Sequence, residues 1–265
     1  MASSEKIHIV MIHGFRGTHH GLQKIAESFP ADITTHIPDL PGFGQGESLD
    51  SYSLEAYVSW LHRYVKALHL SKLPVLLGHS FGSIISAAYA AKYPTSIEKL
   101  ILVNPIGAPA LEGPKYILTK LAVLYYKVGS ILPERLAHQW LSATSIVLVM
   151  STTMAKTRDK KLRKWIHDQH LTYFSQFHSA KSVLQAFETS VRHSVRDDAE
   201  SISVPTLLII GEKDDITPPA KQHELHRKMK QAKARLHSIP DVGHLTHYET
   251  PEEVARVSYE FIKSL

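Results

Sequence analysis

Five residues, Gly78-His79-Ser80-Phe81-Gly82, constrain this chain more than any other stretch. A short apolar run, residues 73–77, leads into them, and a run of small and apolar residues, 83–91, leads out. That order predicts a buried strand, a sharp turn and a buried helix, with Ser80 at the tip of the turn in a strained backbone conformation. Side chains two positions either side of the serine would clash, so glycine fits at 78 and 82. The N–H of Phe81 opens the helix and points at any oxyanion that forms beside Ser80. A bare G-x-S-x-G also occurs as an ordinary turn. A catalytic role therefore needs an acid, a base and a second oxyanion donor elsewhere in the chain.

The rest of the sequence supplies a frame for such a turn. Residues 7–12 form a continuous, largely β-branched run, as expected of a strand buried on both faces of a parallel sheet. Further strands are predicted at 33–37, 73–77, 100–103, 206–210 and around 235–239. Between them, Leu22, Ile25, Ala26 and Phe29 recur at helical spacing, as do Leu54, Val58, Leu61, Val65 and Leu68, with Ser53 as N-cap. A final helix begins at Thr250-Pro251-Glu252-Glu253, with threonine as cap, proline at the first turn and glutamate closing a capping box. Alternating β and α units predict a doubly wound, mostly parallel sheet of about six strands flanked by helices.

From 110 to 195 the strands vanish. Four apolar stripes appear instead: Ile117, Leu118, Leu121, Leu124 and Val128; Leu136, Trp140 and Leu141; Leu162, Trp165, Ile166, Gln169 and Tyr173; and Val183, Leu184, Phe187 and Val191. We therefore read 1–109 and 196–265 as one α/β core domain and 110–195 as an inserted, all-helical cap. The basic run Lys156, Arg158, Lys160, Lys161, Arg163 and Lys164 reads as the wet face of the third cap helix.

Composition excludes several function classes. With no cysteine the chain has no disulfides, no thiol nucleophile and no thiolate metal site, which fits a reducing cytoplasm. Net charge is +5, but no nucleic-acid module accompanies it. The apolar stretches 116–128 and 146–150 are too short or too lysine-broken to span a bilayer, and the first residues lack a signal-peptide layout. The expectation is a cytoplasmic protein, monomer or homodimer, with no stable membrane association, no nucleic-acid partner, no cofactor and no metal. The pairs His19-His20 and His167 with His170 lack the companion ligands a metal site needs.

Working residues in an open parallel sheet collect at the carboxyl ends of strands. Here those ends carry His13-Gly14-Phe15, Ser80, Asp214 and Gly243-His244. Together with Asp39-Leu40-Pro41-Gly42-Phe43-Gly44 and Gly211-Glu212-Lys213-Asp214, they resemble the α/β-hydrolase family over essentially the whole chain. The resemblance implies Ser80 as nucleophile, His244 as general base and Asp214 as the acid that orients the imidazole. It also implies backbone N–H groups of Phe15 and Phe81 as the oxyanion hole. Asp215 is a rival acid, but only Asp214 has the family's glycine-x-x-aspartate spacing, so Asp215 is read as a turn cap. Asp39 is read as turn chemistry and His79 as a packed histidine.

The family usually opens with two more strands before the one ending in His-Gly, so the resemblance implies a core lacking the first two. The cap should roof an apolar substrate pocket, with Gly14 and Arg16 on the core side and Leu118, Leu121, Leu124, Trp140 and Met154 from above. Arg16 could bind an anionic group or simply be solvated. A serine nucleophile disfavours dehalogenases and epoxide hydrolases, which carry aspartate there. It favours cleavage of a small-molecule carboxylic ester, with small to medium apolar parts, through an acyl-enzyme. Lactonase and C–C hydrolase activities remain open, as does a non-catalytic ligand receptor or scaffold on the same fold.

Overall fold

The computed structural model describes residues 6–109 and 116–264, those of 116–119 by backbone alone. Its centre is a six-stranded sheet of β1 (Ile7–Ile12), β2 (Ile33–His36), β3 (Val75–His79), β4 (Leu100–Val103), β5 (Thr206–Gly211) and β6 (Arg235–Ile239). The order is β2-β1-β3-β4-β5-β6 and every pairing is parallel, as the alternation of units predicts. Ile12 lies opposite Gly78 and His79 opposite Val103, so the carboxyl ends of β1, β3 and β4 finish level with one another. Loops from non-consecutive parts of the chain thereby meet at one edge.

Alternate strand residues feed two cores. Val10, Ile12 and Leu76 pack with Tyr57 and Leu61 of α2 (Leu54–Ala67) and with Ile84 and Ile85 of α3 (Phe81–Lys92). On the other face, Ile9, Met11, Val75 and Leu77 meet Ile25 of α1 (Gln23–Glu27) and the last helix. Ser53 caps α2 as expected, accepting from the Ala56 N–H at 3.3 Å.

Among the described residues, five α-helices, not four, lie between β4 and β5: α4 (Tyr116–Ile131), α5 (Glu134–Leu141), α6 (Thr144–Met154), α7 (Lys160–Tyr173) and α8 (Ala180–Arg192). Helix α6 escapes sequence reading because Ile146, Val147, Leu148, Val149 and Met150 make it apolar on every side, leaving no 3.6-residue period to detect. The same ambiguity misorients α4, and in α5 the expected stripe is only partly right. Tyr126 and Gly129 form the buried side of α4, whereas Leu121 and Leu124 are exposed; in α5, Ala137 and Leu141 are buried and Leu136 and Trp140 are exposed. The stripes in α7 and α8 hold, with Ile166 and Val183 fully buried.

The chain ends with α9 (Pro219–Lys228), α10 (Thr246–Glu249) and α11 (Pro251–Lys263). Proline opens α11 as expected, but the capping box does not form. Thr250 belongs to the end of α10, its hydroxyl donating to Thr246 O at 3.4 Å, and Glu253 pairs with Arg256 and His237. The basic run also departs from a uniformly wet face. Residues 160, 161, 163 and 164 are exposed, but Lys156 lies before α7 and bonds Asp215 of the core at 2.6 Å. Beside it, the N–H groups of Lys156 and Thr157 donate to Glu249 Oε1 at 2.7 and 3.1 Å, strapping the helical block to α10. Among the described residues no helix is long and apolar enough to cross a membrane.

Helix α3 runs hard against the end of β1. A Cβ on Gly82 would strike the carbonyl oxygens of Ile12 and His13, and one on Gly78 would come within 2.5 Å of Gly82 O. Backbone atoms cannot rotate away as side chains do. Gly82→Ala is therefore expected to lower unfolding stability by about 1–3 kcal/mol, the range for overpacking, measurable by urea denaturation against wild type.

Candidate active site

Ser80 sits between β3 and α3 with φ 52 and ψ −118, a conformation costly for any residue with a side chain. Its N–H donates to Val103 O at 3.1 Å and its carbonyl accepts from Ser83 N–H at 2.8 Å, so both flanks of the turn are tied down. The hydroxyl is thereby pushed out of the sheet plane, at the positive end of a 12-residue helix. Gly14, after β1, approaches so closely that a Cβ there would lie 3.3 Å from Ser80 Cβ. Phe15 and Phe81 consequently flank Ser80 from two different loops. The Phe15 ring lines the cavity described below, whereas the Phe81 ring is buried in the core, edge-on to Tyr57.

The other two expected residues arrive from the ends of β5 and β6. His244 Nε2 lies 2.8 Å from Ser80 Oγ, and His244 Nδ1 lies 2.8 Å from Asp214 Oδ2. With the carboxylate facing Nδ1, the ring carries its proton there and accepts the serine hydroxyl proton at Nε2. Asp214 Oδ1 accepts the N–H groups of Ile216 and Thr217, both at 2.8 Å, while Oδ2 also accepts Asn104 Nδ2 at 2.8 Å and the Thr217 hydroxyl. Burial alone would raise the Asp214 carboxyl, but the His244 charge and these hydrogen bonds outweigh it and bring it down to about 2. The turn after β5 is capped by Asp214 itself, whose Oδ1 accepts these two N–H groups. Asp215 faces Lys156.

Above Ser80 and His244 opens a cavity of about 600 Å³, with walls from α4, α6 and the core loops. Of the residues expected there, Gly14, Leu121 and Met154 line it. Arg16 does not: it is 1% exposed and buried among the helices of the block. Leu124 and Trp140 do not either, because each points outward, and Trp140 Nε1 donates to Tyr125 O at 3.0 Å. The Leu118 side chain lies outside the described residues. Ile146, Val149 and Met150 of the unrecognised α6 supply much of the apolar wall in their place.

Residues 7–251 match the model of the alpha/beta hydrolase fold. The chain belongs to the α/β-hydrolase family. It is 24% identical to a monoacylglycerol lipase of Homo sapiens over 97% of this chain and 75% of that protein. It is 27% identical to Lipase 1 of Psychrobacter immobilis over 97% and 77% of the two chains. A thermophilic esterase from Thermogutta terrifontis superposes with a TM-score of 0.79 at 22% identity, over 98% of this chain and 90% of that one.

Several residues of this hydrolase site were not singled out in the sequence. Asn104, with φ 44 at the end of β4, bonds Asp214 through Nδ2 and accepts the Thr246 hydroxyl through Oδ1. Its signal was its position: a polar residue at the carboxyl end of the strand between those that bear Ser80 and Asp214. Behind His244 lies His79, packed as expected, with Nε2 donating to His244 O at 3.2 Å. The His79 ring stands 4.0 Å from that of His247, which was not recognised. The suspected metal pairs have other partners. His19 bonds the turn-forming Asp39 at 2.9 Å, His20 stacks on Tyr173, and His167 and His170 both face the Ser151 hydroxyl.

Burial lowers His13, His79, His170 and His247 below the usual histidine range, His79 and His170 to about 3. These rings stay neutral in the folded protein while their unfolded counterparts take up protons below about pH 6.5. Between about pH 6.5 and 3 the unfolded state thus binds more protons, so stability rises with pH across that window. The melting midpoint should fall steadily on acidification from pH 7 to 4.5 in thermal scans, and a flat profile would contradict the buried neutral cluster.

Proposed function

We propose that this hydrolase cleaves carboxylic esters with small to medium apolar acyl or alcohol parts, through an acyl-enzyme on Ser80. The observation that carries this reading is a continuous relay, Ser80 to His244 to Asp214, opening into a cavity walled mainly by aliphatic and aromatic side chains. The lipase and esterase names of its relatives support it.

The steps follow from the geometry. His244 Nε2 takes the proton as Ser80 Oγ attacks the ester carbonyl, and the carbonyl oxygen becomes an oxyanion. The N–H groups of Phe15 and Phe81 receive that charge, the second with the dipole of α3 behind it. Asp214 holds the ring in its Nδ1–H form and supports its positive charge. The imidazolium then returns its proton to the departing alkoxide, leaving the acyl group on Ser80. A water, deprotonated by the same nitrogen, attacks the acyl carbonyl, and the imidazolium gives that proton to the departing Ser80 Oγ as the acid is released. The helices over the site act as a cap domain that excludes bulk water and selects by shape.

Ser80→Ala removes one hydroxyl and little packing, so ester turnover should drop on the order of 10⁴-fold with the melting midpoint retained. A serine-directed fluorophosphonate should label the wild type and not the variant. Labelling elsewhere, or variant turnover within tenfold of wild type, would overturn Ser80 as nucleophile, and a wild type with neither turnover nor labelling would leave a receptor or scaffold role.

Asp214→Asn should lower kcat on the order of 10⁴-fold because this carboxylate faces His244 Nδ1 and holds its tautomer. Asp215→Asn, which loses a pair with Lys156, should stay within about tenfold of wild type. Equal losses in the two variants would place the acid elsewhere. A panel of p-nitrophenyl esters run beside lactones should show turnover highest for short and medium acyl chains, with lactones slower.

A further inference from the structure

Arg16 is the largest of the completely buried side chains, and among the described residues no carboxylate pairs with it. Its Nε donates to Phe174 O at 2.9 Å, one Nη to Leu141 O at 2.6 Å and the other to Tyr126 Oη at 3.3 Å. Leu141 is the last residue of α5 and Phe174 is the C-cap of α7. Both carbonyls therefore stand at the negative ends of helices, and two helix C-termini supply what a carboxylate otherwise would. The guanidinium also lies 5.5 Å from the centre of the Phe177 ring. A single core residue thus binds three separate elements of the helical block.

The backbone of the same residue is unusual. Gly14 to Gly17 form a tight turn closed by Gly17 N–H donating to Gly14 O at 3.0 Å, with Phe15 and Arg16 at its corners. Arg16 has φ 60, in the left-handed region that favours glycine at this corner. The contacts of its side chain hold it there. The start of the turn is pinned from the core side, since His13 Nδ1 donates to Gly14 O at 2.9 Å and His13 Nε2 accepts the Leu40 N–H at 2.8 Å. Phe15 is therefore suspended between a histidine anchored in the core and an arginine anchored in the cap.

We propose that Arg16 is a positioning residue: the cap, by seating two helix C-termini on its guanidinium, sets the Phe15 N–H that receives the oxyanion. This rests on the ester-cleaving reading above. It makes closure of the cap and assembly of the oxyanion hole one event. Lifting α5 or α7 to admit substrate strips the buried cation of its acceptors and frees the turn, and reaction waits for their return. Arg16 touches no reacting atom, so its effect falls on the transition state rather than on substrate capture.

The test uses Arg16→Gly and Arg16→Lys with p-nitrophenyl acetate, a substrate too small to depend on the far cavity wall. Both variants should lose about 10- to 100-fold in kcat, less than the loss of a whole oxyanion donor, with KM within about threefold. A trifluoromethyl ketone, whose adduct with Ser80 carries an oxyanion, should lose affinity by the same factor as kcat. Millimolar guanidinium should restore kcat of Arg16→Gly at least about threefold, which a fold-level defect would not allow. Should Arg16→Gly fail to fold, Arg16→Lys decides, because an ammonium cannot reach both carbonyls in one geometry. A folded variant with kcat within twofold of wild type would overturn the inference. So would a loss that merely tracks the unfolded fraction and ignores guanidinium. A wild type without turnover or fluorophosphonate labelling would instead fail the ester-cleaving reading itself.

Discussion

Everything at the site depends on how closely α3 is driven against the end of β1. Gly82 leaves no space for a Cβ beside the carbonyls of Ile12 and His13, and Gly78 none beside Gly82 O. That contact brings the helix N-terminus under the loop after β1, where a Cβ on Gly14 would lie 3.3 Å from Ser80 Cβ. It also forces Ser80 to φ 52, because a strand and a helix this close can be joined only by a turn sharper than ordinary backbone allows. The strain is held by the sheet: Ser80 N–H is bonded to Val103 of the neighbouring strand, and β4 in turn to β5.

Charge is kept scarce around that serine. His13, His79 and His247 are held neutral by burial, and the carboxylate of Asp214 is held ionised by His244 and four further hydrogen bonds. An ionised carboxylate buried without partners would take up a proton rather than stay charged. Asn104 and Thr217 thus share with the histidine the task of giving the buried carboxylate partners.

The helical block meets the core through two unlike contacts. Around Lys156 the link is half-exposed, made of an ion pair with Asp215 and backbone bonds to Glu249, and it exchanges easily with water. Around Arg16 the link is dry, and a cation removed from its acceptors there has no solvent to replace them.

Much of this was legible in the residues alone. The six strands, their parallel order and the Ser80, Asp214 and His244 strand ends follow from local signals: β-branched runs, glycines that must lack a Cβ, and polar residues at carboxyl ends of strands. The reading failed where the signal was not local. The buried face of α4 was misplaced because a helix apolar on most sides has no preferred stripe, and α6 was not recognised as a helix for the same reason. The capping contacts of Asp214 were not foreseen, since adjacent carboxylates look alike until their partners are known. Sequence by itself determined the core, its elbow and the strand ends that carry Ser80, Asp214 and His244, because each rests on periodicity and sterics spanning a few residues. Only tertiary structure decided that Arg16 is buried, that Lys156 reaches the core and that α6 walls the cavity, because those outcomes depend on contacts between residues far apart in the chain.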